Sequence, residues 1–180
     1  MSRRKRDILE LYNCYFVTTT FNNWLELLLN DDYYKILQDS INFYSEKYSA
    51  EIISYVIMPN HIHFIIFFNE DVNLSGYLRD FKKFTSFKIR ERLQMERRSE
   101  LLHQIEYEKY GQKYKVWKDR FDAVIILSKN IMFTKINYIH NNPVKKNLVA
   151  EDHLWEYSSA KFYRFDVEGT VKVTNAGAIV

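Results

Sequence analysis

Apolar and polar positions change their period several times along the chain, and each change marks an element. Residues 12–21 are rich in Tyr, Phe, Val and Thr and predict a first strand, which the pair Asn22-Asn23 breaks. Asn30, Asp31 and Asp32 then offer capping oxygens. Tyr34, Leu37, Ile41 and Tyr44 recur at helical spacing, so a helix is expected to about Lys47. Residues 50–58 are again β-branched and aromatic, and Met58-Pro59-Asn60 has turn chemistry. Residues 61–68 are apolar on both faces apart from two histidines, which predicts the second strand of a hairpin, central and covered on both sides. After a polar loop at 69–73, Leu74 opens a long helix with Leu78, Phe81, Phe84, Ile89 and Leu93 expected inward. Residues 99–115 are mixed and read as the end of that helix and a loop around Gly111, and 116–121 and 123–127 as a further strand or two. Ser128-Lys129-Asn130 introduces a helix from Ile131 to about Asn141, which Pro143 should stop because the residue before a proline is turned away from helical geometry. The aromatic residues 155–165 are expected to pack on the core, and 169–180 form a tail that can be disordered.

Composition narrows the class. At 180 residues and 47% hydrophobic, the chain has the size and apolar content of one domain with its own core. Fourteen tyrosines and thirteen phenylalanines against four glycines argue against disorder and suit both a packed sheet and base stacking. A net charge of +3 does not by itself announce a nucleic-acid partner, so that case rests on where the charges lie. Cys14, the single cysteine, excludes an internal disulfide and a cysteine zinc finger and fits a reducing compartment. The basic start Ser2-Arg3-Arg4-Lys5-Arg6 lacks the apolar run of a signal peptide, and no run approaches the ~20 apolar residues that span a bilayer. A soluble cytoplasmic protein without membrane contact is the expectation.

Two places carry candidate chemistry. On a strand, His61 and His63 project from one face, an arrangement preset for a shared metal ion. Tyr138 and Asn142, four apart, share one face of a helix end, while His140 points elsewhere. Two imidazoles and an amide oxygen form a three-ligand set with open positions, suited to Mg²⁺ or Mn²⁺ near a phosphate, and a tyrosine beside it can act as nucleophile. The competing readings are a hydrogen-bonded core pair of histidines and a tyrosine that merely packs. Arg79, Lys82, Lys83, Lys88 and Arg90 make the 74–98 helix the most basic part of the chain, either a solvated face or a binding surface for a DNA backbone. His103, His140 and His153 have no partner spacing and receive no role.

Met58-Pro59-Asn60-His61-Ile62-His63 with its apolar flanks resembles the His-hydrophobe-His motif of the HUH endonucleases. Tyr138-Ile139-His140-Asn141-Asn142-Pro143-Val144-Lys145, Leu148-Val149 and Trp155-Glu156-Tyr157-Ser158-Ser159-Ala160 resemble blocks of the single-tyrosine transposases, nearest the REP-associated tyrosine transposase branch. The resemblance implies an α+β, ferredoxin-like antiparallel sheet with packed helices, divided into a basic arm at 1–11, one catalytic domain at 12–165 and a tail at 166–180. It further implies an HUH endonuclease and strand transferase with His61, His63 and Asn142 as metal ligands. Tyr138 would be the nucleophile of a 5′-phosphotyrosine link. Many members carry glutamine where this chain has the shorter Asn142, so a water can stand between that amide and the metal. The implied partners are single-stranded DNA hairpins of the repeated REP type, bound by a monomer in the bacterial cytoplasm at the nucleoid, a homodimer being the alternative. Two other classes compete: a non-catalytic ferredoxin-like nucleic-acid-binding module, and a metal phosphodiesterase that uses water.

Overall fold

Strand alternation sets the architecture, which a computed structural model describes for residues 13–69, 73–109 and 112–179. The basic arm expected at 1–11, with Tyr12, Gly111, Val180 and part of the 69–73 loop, lies outside them. In chain order the elements are β1 (Cys14–Thr20), α1 (Asp31–Lys47), β2 (Ala50–Met58), β3 (His61–Phe68), α2 (Leu74–Met95), α3 (Ser99–Gln104), β4 (Glu106–Lys109), β5 (Gln112–Tyr114), β6 (Asp122–Ile125), α4 (Lys129–His140), α5 (Asn142–Lys145) and α6 (Ala160–Phe165). The main sheet has the order β2-β3-β1-β6, with each neighbouring pair antiparallel. This is the ferredoxin-like arrangement, with the histidine strand β3 central between β1 and β2.

Along β3, Ile62, Phe64, Ile66 and Phe68 pack with Leu37 and Ile41 of α1 and Leu78 and Phe81 of α2. Ile65 of the opposite face packs with Cys14, Phe16 and residues Met132, Ile136 and Ile139 of α4. Each face of one strand thus feeds its own core, which is why the run is apolar throughout. Caps act where the sequence offered them: the Asn30 side chain accepts from the Asp32 N–H at 3.2 Å and that of Ser128 from the Ile131 N–H at 3.3 Å.

Several expectations are corrected. Phe84 is 42% exposed, and Tyr77 is buried instead. The inward stripe runs Leu78, Phe81, Thr85, Ile89, and Thr85 earns its place by donating to the Phe81 carbonyl and accepting from Trp117 Nε1 at 3.0 Å. Residues 99–115 are not a loop but α3 followed by the β4–β5 hairpin, whose strands are too short and exposed to show alternation. Residues 116–121 are not a strand; Trp117 makes a single bridge to Phe21. α4 ends at His140, yet Asn142 opens a further helical turn, because Pro143 near its N-terminus sits where no N–H is needed.

The described residues after Phe165, expected as a loose tail, also pack on the fold. The Thr174 N–H donates to the Ile52 carbonyl at 2.9 Å, the Lys172 N–H donates to Asn42 Oδ1 at 2.9 Å, and Val171 and Ala176 are buried. Upstream, the Ile57 N–H donates to the Tyr157 carbonyl at 2.8 Å, and Tyr157 stacks on Tyr34 with ring centroids 3.5 Å apart. Both segments cover the free edge of β2, which would otherwise present unpaired backbone groups. In the core on the α4 side of the sheet Cys14 is fully buried, and burial pushes its thiol up to about 12. No helix among the described residues is long and apolar enough to cross a membrane.

Candidate active site

The period of two places His61 and His63 on the α4 side of β3, with ring centroids 4.7 Å apart. His63 pairs across the ladder with Thr18, whose Oγ1 lies 2.8 Å from His63 Nδ1, and stacks on Phe16. His61 Nδ1 donates to Asn60 Oδ1 at 2.6 Å. Each ring is therefore oriented through Nδ1, which leaves Nε2 as its free nitrogen. That is how metal-binding imidazoles are commonly held. Burial lowers the His61 pKa to about 4, with Lys146 adding to the shift, and lowers that of His63 to about 3, with His61 and Lys135 adding. Both rings are thus neutral near pH 7, the form that ligates.

α4 brings the tyrosine from above. Its Met132, Ile136 and Ile139 face the sheet, which turns Tyr138 to the rim, 41% exposed and with its ring 5.2 Å from that of His63 and 5.8 Å from that of Phe16. Lys135 and Lys145 hold their ammonium groups 5.8 and 5.5 Å from the Tyr138 ring centre. One turn on, Asn142 is buried near His61, whose pKa it pulls weakly upward. The contact falls short of a full hydrogen bond, and Asn142 Oδ1 has no partner among the described residues. An orphaned, buried amide oxygen beside two imidazoles with free Nε2 atoms fits a divalent cation with mixed nitrogen and oxygen ligands. Among the described residues no group of three or more His, Cys, Asp and Glu side chains gathers that could hold a metal ion; the candidate set is two histidines and one amide.

His140 points away from Tyr138 and anchors the helix end. A bulge at Ile53 in β2 turns Ser54 toward α4, where its hydroxyl lies 3.1 Å from His140 Nε2; the Ser159 hydroxyl lies 2.8 Å from the same nitrogen. Burial lowers the His140 pKa to about 4, partly opposed by Asp152.

The basic helix forms a second site. Arg79, Lys82, Lys83 and Arg90 line a groove of about 640 Å³ together with Lys113, Lys118 and the aromatic rings of Phe87, Tyr114, Trp117 and Phe121. The five cations expected on this helix, Arg79, Lys82, Lys83, Lys88 and Arg90, differ in their surroundings. Lys82 is turned inward, donating to the carbonyls of Lys118 at 2.8 Å and Arg120 at 3.3 Å, and burial lowers its pKa to about 8. Arg79 pairs with Asp80 and Lys88 with Glu91, and Lys88 does not line the groove. Arg90 lies against both Phe87 and Tyr114, and its Nε has no hydrogen-bond partner among the described residues.

Sequence reasoning missed Trp24. Asn23 and Trp24 have φ of 52° and 58°, a left-handed conformation unusual for a bulky residue and costing on the order of 1–2 kcal/mol per residue. The strain is held from both sides: the buried Phe21 donates its N–H to the Asn60 carbonyl and the buried Leu27 its N–H to the Pro59 carbonyl. Between these anchors Trp24 is 56% exposed, 6.1 Å from His61 by ring centroids and under the Lys118 ammonium at 4.2 Å. Only the Asn22-Asn23 pair hinted at an unusual turn.

Residues 11–142 match the family described as Transposase IS200 like. A protein of Haemophilus influenzae named "Putative REP-associated tyrosine transposase" is 29% identical over 178 residues, covering 95% of this chain and 90% of its own. The solved structure of a REP-associated tyrosine transposase bound to a REP hairpin superposes with a TM-score of 0.66 at 21% identity, covering 92% of this chain and 87% of that one, a likeness of fold. The family match spans the β3 histidines, α4 and Asn142 together, and on that ground this chain belongs to the IS200-like transposase family of strand-transferring endonucleases.

Proposed function

We propose that the protein cleaves and rejoins single-stranded hairpin DNA through a covalent 5′-phosphotyrosine link at Tyr138. The observation that carries this reading is the convergence of Tyr138 on His63, ring to ring at 5.2 Å, from an element far along the chain. An exposed phenol beside the neutral imidazole of His63, which itself adjoins His61, has a use in phosphoryl transfer. His61, His63 and Asn142 would hold Mg²⁺ or Mn²⁺, which when bound polarises a phosphoryl oxygen and offsets its charge.

The rest falls to the chain's own residues. Tyr138 Oη loses its proton and attacks the scissile phosphorus; the bond to the 3′ oxygen breaks, and that oxygen takes a proton and leaves as a free 3′-OH. Because the new ester keeps the energy of the broken one, a 3′-OH can attack it in return and restore the strand. Lys135 and Lys145 put positive charge where the phenolate and phosphate charges develop. The groove along α2 would hold the phosphate backbone with Arg79, Lys83 and Arg90, while Lys82, engaged by carbonyls, and Lys88, paired outside the groove, contribute less. Tyr138 reaches histidines of its own chain, so one chain carries a full set of groups and a monomer suffices. The hairpin partner is taken from the likeness to the solved relative bound to a REP hairpin.

The test is incubation with labelled hairpin DNA and Mn²⁺, followed by denaturing gel separation. A protein–DNA adduct that survives denaturation, is lost with chelator and is absent in Tyr138→Phe is expected. Cleavage persisting in Tyr138→Phe would instead identify a phosphodiesterase that uses water, and hairpin binding with no cleavage under any metal would identify a binding module.

A further inference from the structure

Trp24 stands where the candidate metal site and the basic groove meet. Its ring is edge-on to His61, and the ammonium over it belongs to Lys118, which also lines the groove along α2. The connection is built into the backbone: the Lys118 N–H donates to the Thr20 carbonyl at 2.9 Å and the Asn22 N–H to the Val116 carbonyl at 2.8 Å, so the loop before α1 and the loop after β5 are stitched together at the end of β1. A large aromatic side chain held half-exposed by a left-handed backbone gains no burial that would repay the strain. Strain of that kind is characteristic of functional positions. A flat π surface with a cation beside it, next to a site for phosphate chemistry, matches the elementary requirement of single-strand binding, in which a base stacks and its phosphate is neutralised.

We propose that Trp24 is a stacking platform for one unpaired nucleobase next to the scissile phosphate, with Lys118 pairing the phosphate of that nucleotide. The inference rests on the reading of His61, His63 and Tyr138 as the cleavage site and adds to it a residue that sets the position of the strand. The splayed base takes the exposed surface of the ring, and the Lys118 ammonium moves from the ring to the phosphate. The strand then runs from the groove past Trp24 to Tyr138, which places one particular phosphate against the phenol. Trp24 is therefore a positioning residue, and the bases near the cut must be unpaired when they reach it.

The experiment uses the full chain in chelator, so that binding is read without cleavage, and a hairpin with oligo-dT extensions in which a single 2-aminopurine is moved one nucleotide at a time away from the hairpin. One position is expected to lose fluorescence on binding to the wild type and to keep it with Trp24→Leu. The leucine variant should bind between about five- and 150-fold more weakly, the range for losing one base–aromatic stack, and Trp24→Phe should fall between the two. An abasic site at the quenched position should weaken the wild type by a similar factor and leave the leucine variant nearly unchanged. Unquenched 2-aminopurine at every position, or independent effects of the abasic site and Trp24→Leu, overturns the proposal. Should the leucine variant fail to fold, the 2-aminopurine scan on the wild type and Trp24→Phe still decides it. Failure of the cleavage reading shows separately, as absence of the Tyr138 adduct in Mn²⁺.

Discussion

Replacing His140 with leucine should weaken the fold near neutral pH and make it less sensitive to acid. The imidazole is 5% exposed and lies within hydrogen-bond reach of the Ser54 and Ser159 hydroxyls, tying the end of α4 to the bulge of β2 and to the segment that covers its edge. Leucine fills a similar volume but offers no partner. The two hydroxyls keep each other at 3.1 Å and Ser159 keeps the Tyr55 carbonyl at 3.3 Å, so the loss is about 1–2 kcal/mol and not the full cost of orphaned groups. In a domain of this size that lowers the melting temperature by roughly 2–8 °C. Acid reverses the comparison. The pKa of His140 falls from 6.5 in the unfolded chain to about 4 in the fold, so on acidification the unfolded state takes up a proton first. The wild type then loses stability between these two values, on the order of 2 kcal/mol by about pH 5 for this one group. His61 and His63 titrate in both proteins and cancel in the difference. Thermal denaturation at about pH 7.5 and about pH 5 should therefore show the gap between wild type and His140→Leu closing. A gap of equal size at both pH values would refute the role of a neutral, buried His140.

Three further expectations concern other parts of the molecule. Lys82→Met should lower the melting temperature, because the carbonyls of Lys118 and Arg120 lose their donor, while leaving the salt dependence of DNA binding unchanged; Lys83→Ala should flatten that dependence by about 0.7 in slope for a single strand. The reverse pattern would return Lys82 to the DNA-binding surface. Mn²⁺ at about a hundred times its dissociation constant should stabilise the wild type by about 2.7 kcal/mol, or roughly 5–11 °C, and His63→Ala by nothing measurable; an equal rise in both would move the metal elsewhere. Ending the chain after Phe165 should lower the melting temperature by several degrees and promote aggregation, since it uncovers Val171 and the Ile52 end of β2; an unchanged melting curve would show that this packing adds no stability.

What could be read from the sequence was what local periodicity decides. His61 and His63 share a face because two is the period of any strand, whereas Tyr138 and Asn142, expected on one helix end, lie on α4 and on the first residue of α5. The hairpin, α1 and the Ser128 cap follow from equally local chemistry. What escaped depended on partners distant in the chain. Lys82 differs from Lys83 only because the carbonyls of 118–120 come to rest over it. His140 acquires its partners because a bulge turns Ser54 toward it and the segment along β2 brings up Ser159, and no spacing announces either. Trp24 is one aromatic among many until its φ and its place between His61 and Lys118 are known. The ordered residues after Phe165 were obscured by composition: Gly169 and the small residues around Ala176 suit a loose end as well as a segment laid along a strand.

Cys14 gives the molecule an internal clock. It is the one thiol in the chain, and with its pKa pushed up to about 12 beneath the layer formed by α4 and Ala176, it is almost wholly in the unreactive protonated form while covered. An aromatic disulfide reagent can capture it only when the surrounding core opens, and because α4, Tyr163, Ile126 and Ala176 all contribute to that core, the modification rate reports opening of the whole α4-side layer. Since α4 carries Tyr138 and forms part of this layer, a fall in that rate on adding a hairpin would show that bound substrate steadies the core on which the nucleophile's helix rests.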